Sequence, residues 1–245
     1  MKNQTKYNLK ALVLAAGLGT RLRPLTLKMP KCLAEIGGIP LLENWLNKLE
    51  GIDCNETLIN THYFSEKVDA FLQTYNSEKM KINSIYEPNL LGTLGTLLSN
   101  KEWFKNSTGM LIHGDNFTYD DLKKFISAHN AKPKQCLLTM LTFKTDNPRN
   151  CGIIETDQQG IMTNFFEKVE NPPSNIANGA IYLFDYEFIE WIEERTFDGN
   201  DFSLNVLPLL KGRVQTFHTN KVFLDIGTPE ALAKANTIFE NQKDI

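Results

Sequence analysis

Residues 12 to 36, LVLAAGLGTRLRPLTLKMPKCLAEI, carry an apolar run into a Gly-x-Gly turn and then into two arginines, two lysines and two prolines. Glycine lets backbone N–H groups approach an anion closely, and cations beside them add charge, so this is the sequence form of a phosphate cradle. Neither standard phosphate motif fits. A dinucleotide fingerprint needs a third glycine where Leu22 stands, and a P-loop needs Gly-Lys-Ser/Thr at its end. What remains is a short glycine turn with Thr20, Arg21 and Arg23 directly after it and Lys31 a little beyond. Two carboxylates offer a second chemistry: Asp115 closes MLIHGD, and Asp225 follows VFL in FLDIG. Taken singly, an aspartate at a strand end is ordinarily a cap or turn former. As a pair they suit Mg²⁺, which is held by one or two carboxylates plus substrate phosphates. Glu167 and Lys168 end the run FFEK, a pairing that on most surfaces is only a solvated face. His62 and His113 lie beside strand ends without a serine or cysteine partner pattern, and neither is read as a catalytic base.

The elements that must position these groups follow from periodicity. Leu9 to Ala15 is a continuous apolar run, as expected for a strand covered on both faces. PLLENWLNKLEGI carries a helical stripe at Leu41, Leu42, Trp45, Leu46 and Leu49, closed by Gly51. ETLINTH reads as a strand, SEKVDAFLQTY as a helix capped by Ser65, KINSIYE as a strand, LGTLLSNKEWF as a helix and MLIHGD as a strand. This alternation over the first 130 residues predicts a doubly wound α/β sheet with its ligand crevice at the carboxyl ends of the strands, where GLGTR and GDN both fall. In the second half QCLLTMLTF, CGIIETD, IMTNFFEK and NGAIYLFD read as strands, DQQG as a hairpin turn, EFIEWIEER and SLNVLPLL as helices, and TPEALAKANTIFENQ as a closing helix. The sheet is therefore expected to continue as a mixed one.

Composition narrows the partners. The chain has 245 residues, 42% of them apolar, which suffices for one full core, and its net charge of −3 gives no field favouring nucleic acid or an anionic membrane. The polar start MKNQTKYN and the lack of any run of about 18 apolar residues point to a cytoplasmic protein with a small-molecule partner. Cys32, Cys54, Cys136 and Cys151 fall in no zinc spacing and are read as reduced thiols without a role.

The order of the strings carries more than any one of them. LAAGLGTRLRPLT…MPK, LGTLGTLL, HGDN, CGIIE, FFEKVENPP, NGAIYLFD and FLDIGTPEA run through nearly the whole chain, and in that order they resemble the nucleotidylyltransferases that join a nucleoside triphosphate to a sugar 1-phosphate. The look is nearest to members of the mannose-1-phosphate guanylyltransferase type. The resemblance implies a Rossmann-like, doubly wound mixed sheet of the nucleotide-diphospho-sugar transferase type, one domain over 1–245. Its nucleotide-binding half would be 9–130, its sugar-phosphate half 131–230 and its terminal helix 230–245.

The resemblance also assigns roles. Leu14, Ala15, Ala16, Gly17, Gly19 and Thr20 would lie along the nucleotide, and Arg21 and Lys31 would hold the β- and γ-phosphates. Asp115 and Asp225 would hold Mg²⁺ against the α-phosphate. Glu87, Gly92 and Thr93 would face the base. A carboxylate at 87 can accept two hydrogen bonds from the N–H face of guanine; thymidylyl-type relatives tend to carry glutamine there, and guanylyl-type and some uridylyl-type relatives show the E…LGT arrangement found here. Lys168 would bind the phosphate of the sugar phosphate and Glu167 its hydroxyls, with Gly152, Asn178 and Gly179 completing the pocket. The sequence departs from the family pattern at Ala16, a small change that also occurs in the family, and at Cys151 and Val169, which leave the sugar open but not the reaction. The expected reaction is Mg²⁺-dependent transfer of a nucleotidyl group from an NTP to a sugar 1-phosphate. GTP with mannose 1-phosphate or a related hexose or heptose phosphate leads, as a feeder of surface polysaccharide. Uridylyl, thymidylyl or cytidylyl transfer, a non-sugar acceptor, and a non-catalytic nucleotide-sugar sensor stay open. Family members form dimers or tetramers, so the resemblance allows a homo-oligomer.

Overall fold

A computed structural model describes residues 8–243. In chain order the first elements are strand β1 (Leu9–Leu14), the short strands β2 (Glu35–Ile36) and β3 (Ile39–Pro40), helix α1 (Leu41–Gly51), β4 (Glu56–Thr61), α2 (Ser65–Thr74), β5 (Lys81–Tyr86) and α3 (Gly92–Ser99). Then come β6 (Thr108–His113), β7 (Asn116–Thr118), α4 (Leu122–Asn130), β8 (Leu138–Lys144), β9 (Gly152–Thr156), β10 (Met162–Glu167) and β11 (Ile176–Phe184). The last are α5 (Tyr186–Glu193), α6 (Phe202–Asn205), β12 (Val214–Thr219), β13 (Phe223–Asp225) and α7 (Pro229–Lys243). The described residues form two compact units, one of 8–10, 91–111 and 121–220, the other of 11–90, 112–120 and 221–243.

In the second of these units β1, β4 and β5 are neighbours, and β4 and β5 run parallel from Glu56 beside Lys81 to Thr61 beside Tyr86. Parallel neighbours place their carboxyl ends together, which is why the residues after β1, β4 and β5 share one edge. The stripe expected on α1 is the buried one: Leu41, Leu42, Trp45, Leu46 and Leu49. Around it Leu22, Ala34, Ile36, Phe117, Ile226 and Ala235 build an apolar cluster, joined by Leu41, that fixes both ends of the basic loop. Gly37, at φ +63, stands where a Cβ would overlap the Phe239 ring of α7, so only glycine turns the β2–β3 hairpin under that helix.

In the other unit the order β10-β9-β11-β6 is extended by β8, antiparallel to β11, and by β12, parallel to β8. Its core is aromatic: Phe184 meets Phe104 and Phe188 at ring-centre distances of 5.1 and 5.3 Å, and Tyr182 meets Phe202 at 4.7 Å. The mixed α/β, Rossmann-like class expected from the sequence holds. Its details differ in places. The helix read over LGTLLSNKEWF is two pieces, α3 and a 3₁₀ turn at Lys101–Phe104, and SLNVLPLL is divided the same way into the end of α6 and a 3₁₀ turn at Leu207–Leu210. Pro208 has no N–H to continue the α-helical ladder. Helix α4 and strand β12 form where the sequence reading placed no element.

Candidate active site

The chain leaves β1 at Leu14 and turns through Ala15, Ala16, Gly17 and Gly19. The Ala15 N–H donates to Asn60 Oδ1 at 2.7 Å. Gly19 is in the left-handed region at φ +61, and a Cβ there would lie 2.9 Å from Thr26 Cγ2 and 3.2 Å from Lys31 Cβ. Both conformation and space therefore require glycine. The buried Thr26 closes the loop by donating its hydroxyl to the Gly19 carbonyl at 2.7 Å. A Cβ on Gly17 would meet no atom within 4 Å beyond its chain neighbours, so packing does not demand glycine there, and the residue is exposed where an anion could approach. Thr20–Leu22 forms a 3₁₀ turn whose Leu22 is buried in the apolar cluster, leaving the Arg21 side chain 69% exposed.

Asp115 and Asp225, distant in the chain, meet because β7 and β13 pair antiparallel with Asn116 opposite Asp225, and because the Ile226 N–H donates to the Asp115 carbonyl at 2.9 Å. Trp45 of α1 pins the same strand by donating its indole N–H to the Asn116 carbonyl at 2.8 Å. The Lys31 ammonium, its side chain only 11% exposed, lies 2.5 Å from Asp115 Oδ2 and 3.5 Å from Asp225 Oδ1. Arg21 Nη2 approaches Asp225 Oδ2 at 3.9 Å. Gly227 makes room for this contact, since a Cβ would stand 3.1 Å from Arg21 Nη2 and 3.2 Å from Asp225 Oδ1.

The two carboxylates are electrostatically unlike. Burial works against the Asp115 charge, but the Lys31 ammonium, with help from His113, outweighs it and holds the carboxyl below its ordinary range. For the half-exposed Asp225, partial desolvation and the neighbouring Asp115 charge push the same way, upward, and Lys31 and Arg21 offset them only in part. A pair of carboxylates forced together in this manner suits a hard cation that takes oxygen ligands. Among the described residues no group of three or more His, Cys, Asp or Glu side chains is placed to hold a metal, so an ion on these two aspartates would complete its shell with water and phosphate oxygens.

Glu87 follows β5 and is only 4% exposed. Its Oε1 accepts from Asn60 Nδ2 at 3.0 Å, its N–H donates to the Thr61 carbonyl at 2.8 Å, and its carbonyl is 2.7 Å from His62 Nδ1. His62 thus has a local structural partner.

The remaining predicted residues lie in the other unit. Gly92, at φ +76, packs against Asn200, whose backbone oxygen would be 2.5 Å from a Cβ. The Thr93 hydroxyl accepts from the Phe202 N–H at 2.7 Å, so both residues anchor the start of α3 to the segment before α6. Gly152 faces Glu167 in the β9–β10 ladder, and a Cβ would come within 2.7 Å of Glu167 Oε2; glycine here gives the carboxylate its space. Lys168 is in the left-handed region at φ 49, its Nζ 3.2 Å from Glu167 Oε1 and its side chain 65% exposed. Asn178 accepts from the Ala180 N–H at 2.8 Å and donates to Tyr182 Oη at 2.7 Å. It thereby fixes the irregular stretch of β11 that contains Gly179, where pairing with β8 shifts register.

The structure thus brings Arg21, Lys31, Asp115 and Asp225 into one cluster, and Gly152, Glu167 and Lys168 into another. Thr26, Asn60 and Gly227 also build the site, although the sequence motifs do not single them out. A signal for Asn60 was present, a carboxamide inside the otherwise strand-like ETLINT.

A family model described as "Nucleotidyl transferase" matches residues 10–242. Over 236 residues the chain is 27% identical to a mannose-1-phosphate guanylyltransferase of Mycobacterium tuberculosis, covering 94% of this chain and 64% of that protein. Over 230 residues it is 30% identical to the bifunctional protein GlmU of Methanocaldococcus jannaschii, covering 92% and 53%. The chain therefore spans 53 to 64% of the length of these curated relatives. Among solved structures, HddC from Yersinia pseudotuberculosis complexed with GMP-PN superposes with a TM-score of 0.77 at 27% identity, over 94% of this chain and 99% of that one.

Proposed function

The chain belongs to the nucleotidyl transferase family, and we propose that it is a sugar-1-phosphate nucleotidylyltransferase, joining the nucleotidyl group of GTP to mannose 1-phosphate or a related hexose or heptose 1-phosphate. In this reading it works as one catalytic domain in the cytoplasm, and its product feeds surface polysaccharide. The observation that carries the proposal is the cluster of Lys31 and Arg21 on Asp115 and Asp225 beside an open glycine loop. Relatives named as guanylyltransferases, and a neighbour solved with GMP-PN, support GTP as the donor.

A phosphate monoester oxygen is already a competent nucleophile, so the reaction needs no protein base. That oxygen attacks the α-phosphorus and forms the new P–O bond as the bond to the β-phosphate bridging oxygen breaks, and pyrophosphate departs with the electron pair. The open amides around Gly17 and the Gly19–Thr20 turn receive the triphosphate. Lys31 and Arg21 turn from the aspartates to the phosphate oxygens, where positioned cations stabilise the charge that builds on the leaving group. Mg²⁺ held by Asp115 and Asp225 would supply charge neutralisation and orient the α-phosphate. Lys168, 65% exposed and paired with its neighbour Glu167, takes the phosphate of the acceptor, and Glu167 its hydroxyls. Gly92 and Thr93 shape the backbone at the start of α3, and Asn178 with Gly179 the irregular stretch of β11.

The test is pyrophosphate release with Mg²⁺ across GTP, UTP, CTP and dTTP, each against a panel of sugar 1-phosphates. Release that needs both GTP and one hexose or heptose phosphate is the expected result. Preference for another nucleotide overturns the donor assignment, and silence across the grid with retained nucleotide binding moves the chain to a non-sugar acceptor or to the sensor reading.

A further inference from the structure

The Asn60 carboxamide is engaged at both of its polar atoms. The Ala15 N–H can only donate, so the 2.7 Å contact turns Oδ1 towards it and leaves Nδ2 to donate to Glu87 Oε1 at 3.0 Å. Asn60 and Glu87 are each 4% exposed. Glu87 is held at its main chain as well, by the Thr61 carbonyl and by His62. In so dry a place each hydrogen bond is strengthened and an orphaned partner is costly. Only a carboxamide suits position 60. An apolar isostere would strip the Ala15 N–H and Glu87 Oε1 of this partner, and an aspartate would set two carboxylates against each other.

We propose that Asn60 is a positioning residue for nucleobase selection. It locks the Glu87 carboxylate as a hydrogen-bond acceptor and ties it to the first amide of the phosphate loop, so that one side chain sets base recognition and triphosphate binding together. This rests on the reading of Glu87 as the residue that faces the base. A carboxylate held in that role matches adjacent donors, the N1–H and 2-amino group of guanine. Uracil and thymine present one N–H flanked by carbonyl oxygens that repel it.

The experiment is equilibrium binding of GTP, ITP and UTP to the full chain by calorimetry with Mg²⁺, for the wild type, Asn60→Asp, and Asn60→Asp combined with Glu87→Gln. ITP lacks the 2-amino group. The wild type is expected to prefer GTP over both others. Asn60→Asp is expected to weaken GTP about tenfold and to bring GTP and ITP within about twofold of each other. In the double variant the new amide donates to the new carboxylate, rebuilding the bond in reverse. Triphosphate binding is then expected to recover, with UTP preferred over GTP. A single variant that binds GTP as the wild type does overturns the proposal. So does equal loss of all three nucleotides without recovery in the double variant, the mark of a merely structural residue, and so does a wild type that prefers UTP. Nucleotide binding in this pattern without pyrophosphate release in the substrate grid would instead remove the proposed function and leave Asn60 in its role.

Discussion

Asp225 and Lys168 are the side chains whose removal separates the proposed roles most cleanly. Asp225 is 52% exposed and its ion pairs with Lys31 and Arg21 are long, so Asn in its place should leave the melting temperature nearly unchanged, because exposed pairs contribute little. Turnover should nevertheless fall about 10²-fold or more, since the carboxylate assigned to the metal is gone. Steady-state rates alongside thermal melts check this, and an active Asp225→Asn would remove the metal assignment. Lys168→Ala should raise the KM for the sugar phosphate by about tenfold or more while leaving the KM for the NTP within about twofold, as expected when a cation on one substrate's phosphate is lost. The reverse pattern would show that Lys168 serves the nucleotide.

At the scale of elements, the glycine loop is held by its own geometry rather than by a long hydrogen-bonded structure. Gly19→Ala should destabilise the chain by about 1–2 kcal/mol, from the left-handed φ and the 2.9 Å approach to Thr26 Cγ2. A thermal melt reads this directly, and an unchanged midpoint would mean that the loop relaxes without cost. The loop was legible in the sequence because its glycines, cations and preceding apolar strand are contiguous. Strands β4, β5 and β6 were legible as well, as β-rich runs that alternate with helices. Other features were not legible. The meeting of Asp115 and Asp225 depends on two three-residue strands, β7 and β13, too short to show a period, and register between distant segments leaves no local mark. Strand β12, VQTFHT, is only half buried and mixes polar with apolar residues, and α4 buries only Leu122, Phe125 and His129 in nine residues, so neither announces itself.

For the molecule as a whole, a buried polar network in the unit that carries β8 and β11 makes stability depend on pH. His129 is 1% exposed, hydrogen-bonded to Thr139 at 2.8 Å, with Nε2 3.5 Å from Asp185, and Lys132 lies 2.5 Å from the same carboxylate. Burial pushes the His129 pKa down, while the His129 hydrogen bond and Lys132 hold Asp185 well below the usual carboxylate range. For both groups the unfolded chain takes up its proton first as pH falls. Stability should therefore drop below about pH 6.5 as unfolded His129 becomes charged, and again below about pH 4 as unfolded Asp185 is neutralised. Melting between pH 7 and 5 should show the first loss, and His129→Leu should flatten it; an equally steep slope in that variant would place the proton elsewhere. Nucleotidyl transfer itself is read by ³¹P NMR of the full chain with GTP, mannose 1-phosphate and Mg²⁺. Resonances of a nucleoside diphosphate sugar and of pyrophosphate should grow in equal amounts. Release of orthophosphate or GDP, or an unchanged spectrum with every NTP and sugar 1-phosphate tried, would contradict that transfer.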